Sequence, residues 1–139
     1  MMDWKTQIEA SFAKQSMMAT LGAKLHNVEK GAISISAPIL PGSLQQHGAA
    51  HAALTFAIGD SAAGYSALSL LDPEAEVMTA EIKINLLAPA VGDLLIARGR
   101  VIKPGRRLIV VSAEVWAQTG EEEKQVALLQ GTMVPVPKA

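Results

Sequence analysis

The sequence predicts an α+β fold in which an antiparallel sheet of about six strands folds around one long central helix. The stretch of residues 50–70 is apolar over a length that exceeds a usual strand and suits a buried helix. After it, apolar and polar residues alternate with a period of two, as in strands with one buried face. Since one helix cannot cover a wide sheet completely, we expect an edge or flank to pair with another copy of the chain.

Length and composition limit the classes of protein to consider. The 139 residues fit a single domain over residues 1–139, and half of them are apolar, as in a folded globular protein. The net charge of −1 gives no reason to expect nucleic acid or an anionic membrane as the main partner. The absence of cysteine excludes disulfides, thiolate metal sites and cysteine nucleophiles.

The first 18 residues predict a short helix and a lead-in to the sheet. Trp4, Ile8 and Phe12 are four apart on one side of a helix over residues 3–14, which would cover an edge or face of the sheet. Charges are mixed into the first ten residues and no apolar run occurs there, unlike in a secretory signal. We therefore expect a cytoplasmic protein.

The strands are predicted from alternation and from turn residues. A hairpin is expected before the central helix, with strands near residues 21–25 and 33–37 around a turn at residues 29–31. Four strands are expected after it as an antiparallel meander, with tight turns that include one centred on Pro104 and Gly105. These strands are predicted at residues 78–86, 94–102, 108–119 and 124–134.

The central helix, residues 49–71, carries one charged side chain. Asp60 is the single Asp, Glu, Lys or Arg between residues 31 and 71, and a buried carboxylate is costly unless it is hydrogen-bonded, protonated or used. Either a structural carboxylate or a functional one fits. Small residues share its side of the helix and would let a neighbouring element approach closely: Ala53, Ala57, Gly64 and Ala67.

The same segment is long enough to cross a bilayer. Asp60 at its middle, His51 near one end, many small residues and the lack of a flanking basic cluster favour a helix buried in protein. No membrane partner is expected.

Ordered motifs surround this helix. Gln45, His51 and Asp60 are separated by six and nine residues, and the segments TAEIKINLLAPAVGD, GRRLIVVSAEVW and QVALLQGTMVPVP follow in that order. With these motifs, residues 19–135 resemble the hotdog-fold acyl-CoA thioesterases of the PaaI type. The family usually has Gly-Gly after the histidine, where this chain has Ala52 and Ala53.

The resemblance implies a set of site residues. Asp60 would act as general base or nucleophile, Gln45 would orient water or the thioester, and the N–H of Ala52 would bind the thioester carbonyl oxygen. His51 would support the loop geometry, and Thr79 matches a position that is often hydroxylated near the carboxylate. The family's sites lie between protomers, so a homodimer with shared active sites is expected, and a homotetramer as the assembly. A helix N-terminus independently suits oxyanion charge, because its amide N–H groups are unpaired.

A basic cluster surrounds the predicted turn at Pro104. Its members are Arg98, Arg100, Lys103, Arg106 and Arg107. It is either a solvated hairpin end or a site for the phosphates of coenzyme A, and Arg106, Arg107 and Lys103 are the candidates. Coenzyme A would be part of the substrate, so no separate cofactor is expected.

Two other functions stay open, and a metal site is not expected. His47 and His51 are four apart, but Gly48 between them indicates a loop, and no Glu follows His47 as a metalloprotease motif requires. Thr79 could be ordinary strand polarity, and His51 a helix cap. A hotdog dehydratase or hydratase of 3-hydroxyacyl thioesters and a non-catalytic acyl-CoA binder are the alternatives to a thioesterase.

Overall fold

The computed structural model describes residues 3–137 and confirms the predicted fold class. A six-stranded antiparallel sheet wraps around the 17-residue helix α3, Ala52–Leu68. Two short helices precede the sheet and a single 3-10 turn, Pro41–Ser43, precedes α3. The other elements are α1 Trp4–Ala13, α2 Ser16–Leu21, β1 Lys24–Glu29, β2 Ala32–Pro38, β3 Ala75–Leu86, β4 Leu94–Pro104, β5 Ile109–Thr119 and β6 Glu122–Pro137.

The predicted four-strand meander is wrong at its first strand. The strand order is β1-β2-β4-β5-β6-β3, so β3 pairs with β6 at an edge and β2 takes the place beside β4. The segment of residues 87–93 does not make a tight turn. It crosses the ends of β6 and β5, with hydrogen bonds from Leu87 N to Val126 O and from Asp93 N to Gln118 O. Seven residues easily span the three strand spacings, about 14 Å, from β3 to β4.

A β-bulge at Ala80 changes which side chains of β3 face the helix. Thr79 pairs with Met133 and Glu81 pairs with Thr132, which leaves Ala80 as an extra residue. The simple alternation predicted for this strand is therefore wrong across Ala80, because a bulge moves every residue before it to the other face. Val77 and Ile82 both pack against the core. In a regular strand an odd and an even position face opposite sides, so their shared face is a consequence of the bulge between them.

The sheet approaches α3 most closely at glycine. A Cβ on Gly99 of β4 would lie 2.5 Å from the backbone carbonyl of Ala62, so the strand packs directly on the helix backbone there. Ser66 of α3 and Ser69, the C-cap of the helix, fix the β1–β2 hairpin: Ser66 Oγ accepts from Ile33 N at 2.9 Å, and Ser69 Oγ accepts from Gly31 N at 2.7 Å. The buried side of α3 is thus bound to the sheet by close contact and by hydrogen bonds.

The N-terminal segment differs from its prediction by one helix. Asp3 caps α1 by accepting from Thr6 N at 2.7 Å, and Ile8 is buried as expected. Leu21, predicted as strand, ends the additional helix α2, where Gly22 at φ 71° provides the left-handed C-cap. The hairpin strand therefore begins later, at Lys24.

The turn between β4 and β5 also differs. Pro104 still pairs with Ile109, so the connection is a four-residue loop over residues 105–108 and not a two-residue turn. Among residues 3–137, no helix is both long enough and apolar enough to cross a bilayer.

Candidate active site

Helix α3 begins where the sequence supplies a cap. His51 has extended backbone angles, and its Nδ1 accepts from Ala53 N at 2.9 Å, so the imidazole caps the helix. Within residues 3–137, the N–H of Ala52 at the first helical position meets no acceptor. The positive end of the helix dipole lies at the same point. The start of α3 therefore offers a free amide donor.

Gln45 lies in the loop that leads to this helix. Its Oε1 accepts from His47 N at 2.5 Å and from Ala49 N at 3.2 Å. Since both bonds engage the carbonyl oxygen, the amide is fixed in one orientation with its Nε2 donors directed away from the loop. Gln45 thus presents donors and not an acceptor.

These groups line a cleft of about 530 Å³, which we call the N-terminal cleft. Its polar groups come from the side chains of Gln45, His51 and Thr55 and from the backbone of Ala52. Its remaining wall comes from the start of the β3–β4 connection and from β6, and consists of Leu86, Leu87, Ala88, Pro89, Ala90 and Val126, together with Ala49 and Ala50. The volume falls within the range of small-molecule sites.

Asp60 lies two turns further along the same helix and contacts β3. Thr79 Oγ1 donates to Asp60 Oδ1 at 2.8 Å, and the same hydroxyl lies 3.3 Å from Met133 Sδ. Thr79 faces the helix because of the bulge at Ala80. Half-burial of the carboxylate raises the pKa of Asp60 above 3.8, and the hydrogen bond from Thr79 opposes this with a smaller lowering effect.

Asp60 and Thr79 open into a second cleft of about 270 Å³, the Asp60 cleft. One end is closed by Tyr65, whose hydroxyl accepts from Gln15 Nε2 at 2.8 Å and lies 3.1 Å from Ser11 Oγ. The phenol ring packs on Phe12 at 6.1 Å between ring centroids. The N-terminal helices thus form a wall of this cleft, a role that the sequence did not indicate.

The structure brings the predicted site residues together in two groups. Asp60 and Thr79 share the Asp60 cleft, while Gln45, His51 and Ala52 share the N-terminal cleft. Of residues 3–137 in one chain, none lines both of these clefts. The carboxylate of α3 and the hydrogen-bond donors at the start of α3 and in the loop before it therefore lie in different cavities of one chain.

The predicted basic cluster divides in the structure. Arg98 makes a two-pronged ion pair with Glu123, at 2.8 and 2.9 Å, and lies 6.0 Å from the centre of the Trp116 ring. The side chains of Lys103, Arg106 and Arg107 are exposed and meet no carboxylate within residues 3–137. These three cations are not among the residues that line either cleft.

Comparisons with a family model and with a known protein both find similarity to thioesterases or esterases. A family model described as the thioesterase superfamily matches residues 47–124. A protein of Saccharolobus solfataricus named "Putative esterase" is 31% identical over 108 residues, which are 77% of this chain and 76% of that protein.

Solved structures of similar fold include a thioesterase family protein and a PaaI protein. A thioesterase family protein from Silicibacter pomeroyi has a TM-score of 0.95 and 38% identity, covering 98% of this chain and 100% of the other. The PaaI protein of E. coli, from the phenylacetic acid degradation operon, has a TM-score of 0.87 at 21% identity, covering 98% and 95% of the two chains.

Proposed function

Because the chain belongs to the thioesterase superfamily, we propose that it hydrolyses acyl-CoA thioesters in active sites shared by two copies of the chain. The observation that carries the proposal is the half-buried Asp60, held by Thr79 in a cleft and without a cation within residues 3–137 to neutralise it. A carboxylate that retains unpaired lone pairs beside a cavity suits general-base or nucleophilic work.

The proposed reaction uses both clefts. The thioester carbonyl oxygen accepts from the N–H of Ala52 in one copy, where the helix dipole stabilises developing negative charge. Gln45 of that copy donates from Nε2 to the attacking water or to the thioester. As a general base, Asp60 of the other copy takes a proton from the water while the water oxygen bonds to the carbonyl carbon, the C–S bond breaks, and that proton passes to the sulfur of coenzyme A.

As a nucleophile, Asp60 would instead attack the carbonyl carbon itself, and the C–S bond would break to release the thiolate of coenzyme A. Water would then hydrolyse the acyl anhydride on Asp60, which gives the free acid, restores the carboxylate and supplies the proton for the thiolate.

The departure at Ala52 and Ala53 is compatible with this role. The methyl group of Ala52 leaves its amide N–H in place, and the cleft beside it has room for a ligand. His51 would act on this donor indirectly, by capping Ala53 and so fixing the first turn of α3.

The edge strand β3 supports pairing of two copies. Large apolar side chains are exposed on it and just after it, with 62% exposure at Met78, 58% at Leu86 and 54% at Leu87. β3 lies at the edge of the sheet, so one side of its backbone lacks a strand partner within residues 3–137. An exposed apolar edge favours a two-fold pairing of β3 with its own copy. We propose a homodimer built there, with a homotetramer as its further association.

Lys103, Arg106 and Arg107 would bind the phosphates of coenzyme A. Three unpaired cations at a hairpin end attract a polyanion, and arginine forks match phosphate oxygens. To test this, Arg106→Ala/Arg107→Ala is assayed with an acyl-CoA and with the matching acyl-pantetheine, which lacks the nucleotide phosphates. KM should rise about tenfold for the acyl-CoA alone. Lys124→Ala, near the opposite end of β5, is the control, and equal changes for both substrates would contradict the assignment.

The proposed function is tested by thiol release from a panel of short, long and aryl acyl-CoAs. Turnover of at least one of them is expected, with free acid and coenzyme A in equal amounts. Hydration of crotonyl-CoA in place of thiol release would identify a hydratase instead. Tight binding of an acyl-CoA without any chemistry would identify a binding protein.

A further inference from the structure

We propose that Thr55 is a specificity-determining residue which favours acyl groups that carry an oxygen close to the thioester carbonyl. This inference rests on the proposed function, and it concerns which substrates the N-terminal cleft accepts. Thr55 lies one helical turn beyond Ala52 and lines the same cleft. It stands in a segment that is otherwise rich in alanine and leucine, so its hydroxyl requires an explanation.

The Thr55 side chain is buried, yet its hydroxyl has no hydrogen-bond partner in the part of the chain that the structure describes. The residue is 2% exposed, and no hydrogen bond reaches it from any of residues 3–137. A helical threonine can satisfy its hydroxyl on the carbonyl four residues earlier, as Ser66 does on Ala62 at 2.7 Å. Thr55 does not make that bond. Among residues 3–137, every side-chain oxygen that is fully enclosed has a hydrogen-bond partner. Because the Thr55 hydroxyl has none, it is not fully enclosed, and the cleft that Thr55 lines is where it is accessible.

The surroundings of Thr55 define what it can recognise. Ala52, which is exposed, and Gln45 supply donors to the cleft, and the same cleft has apolar walls that include Leu87, Ala88 and Val126. A ligand whose thioester oxygen is bound at Ala52 would place its next few atoms deeper in the cleft. A hydrocarbon chain there would strip water from the Thr55 hydroxyl and leave it unpaired, which is costly.

An acyl group with a hydroxyl or carbonyl oxygen on its second or third carbon would instead satisfy Thr55. A site with a buried hydrogen-bonding group discriminates against the analogue that lacks the matching atom. The expected substrates are therefore 2- or 3-oxygenated acyl thioesters. The plain acyl thioesters of equal length should react more slowly.

The test compares butanoyl-CoA with 2-hydroxybutanoyl- and 3-hydroxybutanoyl-CoA in three variants. In the unmodified protein, kcat/KM for at least one hydroxylated substrate should exceed that for butanoyl-CoA by roughly three- to tenfold. Thr55→Val keeps the shape and removes the hydroxyl, and should bring this ratio to about one. Thr55→Ser should retain the ratio. Thr20→Val, an exposed threonine at the end of α2, is the control for loss of a hydroxyl elsewhere.

Binding separates this inference from the proposed function. Analogues in which CH₂ replaces the thioester sulfur keep the carbonyl and cannot be hydrolysed, so their dissociation constants report on Thr55 even in a protein without turnover. The hydroxylated analogue should bind more tightly than the plain one, and Thr55→Val should remove the difference. An equal effect of Thr55→Val on all analogues, or none, overturns the inference. Absence of thiol release alone overturns only the proposed function.

Discussion

The two faces of α3 use small residues for opposite purposes. On the closed face, Ala62 lies fully buried against Gly99, and Ser66 and Ser69 fix the β1–β2 hairpin by hydrogen bonds. On the open face, Ala53 is exposed, and Ala57 and Gly64 leave Asp60 half-buried beside a cavity. The closed face is bound to the sheet by close contact and hydrogen bonds, and the open face carries the proposed catalytic carboxylate. Small residues thus have different structural roles on the two faces: close packing on one and space for a cavity on the other.

The largest expected effect is on the open face. Asp60→Asn keeps the shape of the side chain and removes its basicity, so kcat/KM for the best acyl-CoA should fall by about 10²- to 10⁴-fold. Circular dichroism should show an unchanged fold, because the closed face is untouched. Thiol-release kinetics measure the loss. Retained turnover would remove Asp60 from the mechanism.

A pair of glycine substitutions compares the faces directly. Gly99→Ala forces a Cβ to within 2.5 Å of the Ala62 carbonyl and should reduce the free energy of unfolding by about 3 kcal/mol. Gly64→Ala meets only Met133 Cε at 3.9 Å, so the helix propensity of alanine should raise stability by about 0.5–1 kcal/mol. Urea denaturation measures both. Effects of the same sign would show that the two faces are not packed differently.

The charged Asp60 side chain should lower the free energy of unfolding at neutral pH. Burial raises its pKa, so the folded state favours the neutral carboxyl. The stability of the fold with a neutral Asp60 carboxyl is fully present below the ordinary pKa near 3.8. It is lost as pH rises through the pKa of Asp60 in the folded protein. Asp60→Asn should therefore be more stable than the unmodified protein at pH 7, by up to about 1 kcal/mol, and the advantage should vanish in acid. Denaturation midpoints at both pH values decide this, and an advantage that grows in acid contradicts it.

Thr79 sets the pH range in which Asp60 is ionised. Its hydrogen bond lowers the pKa of Asp60 against the larger effect of burial. Thr79→Val should raise that pKa further and move the acidic limb of the kcat/KM profile to higher pH. Activity on the alkaline plateau should change little. A profile displaced toward acid, or an unmoved one with a lower plateau, would assign Thr79 another role.

The sequence predicts the fold class because the signals are long and regular. An apolar segment of helical length and a series of period-two strands require a sheet around a helix, whichever strands are neighbours. The pairing of β3 with β6 cannot be read from local sequence patterns, because it depends on the route that residues 87–93 take across the sheet. The bulge at Ala80 is also invisible in the alternation of hydrophobic residues, although it decides that Thr79 faces Asp60.

The candidate site divides in the same way. Asp60 stands out in the sequence because it is an isolated charge, whereas Gln45, His51 and Ala52 are implied by the resemblance of the motif to the PaaI-type thioesterases. The wall of the Asp60 cleft built by Ser11, Gln15 and Tyr65 depends on how the N-terminal helices pack on α3. Thr55 had a signal, a hydroxyl within an apolar helix, but only the structure shows that this hydroxyl lacks a partner.

Each active site is proposed to combine the N-terminal cleft of one copy with Asp60 of another. Mixing the Asp60→Asn and Gln45→Ala variants tests it most directly, after partial denaturation and refolding together to exchange chains. A mixed dimer would contain one site with both residues intact, so random pairing should restore about a quarter of the unmodified activity. Recovery to about this level from two nearly inactive parent variants is the expected result. Activity no higher than the average of the two parents would contradict it.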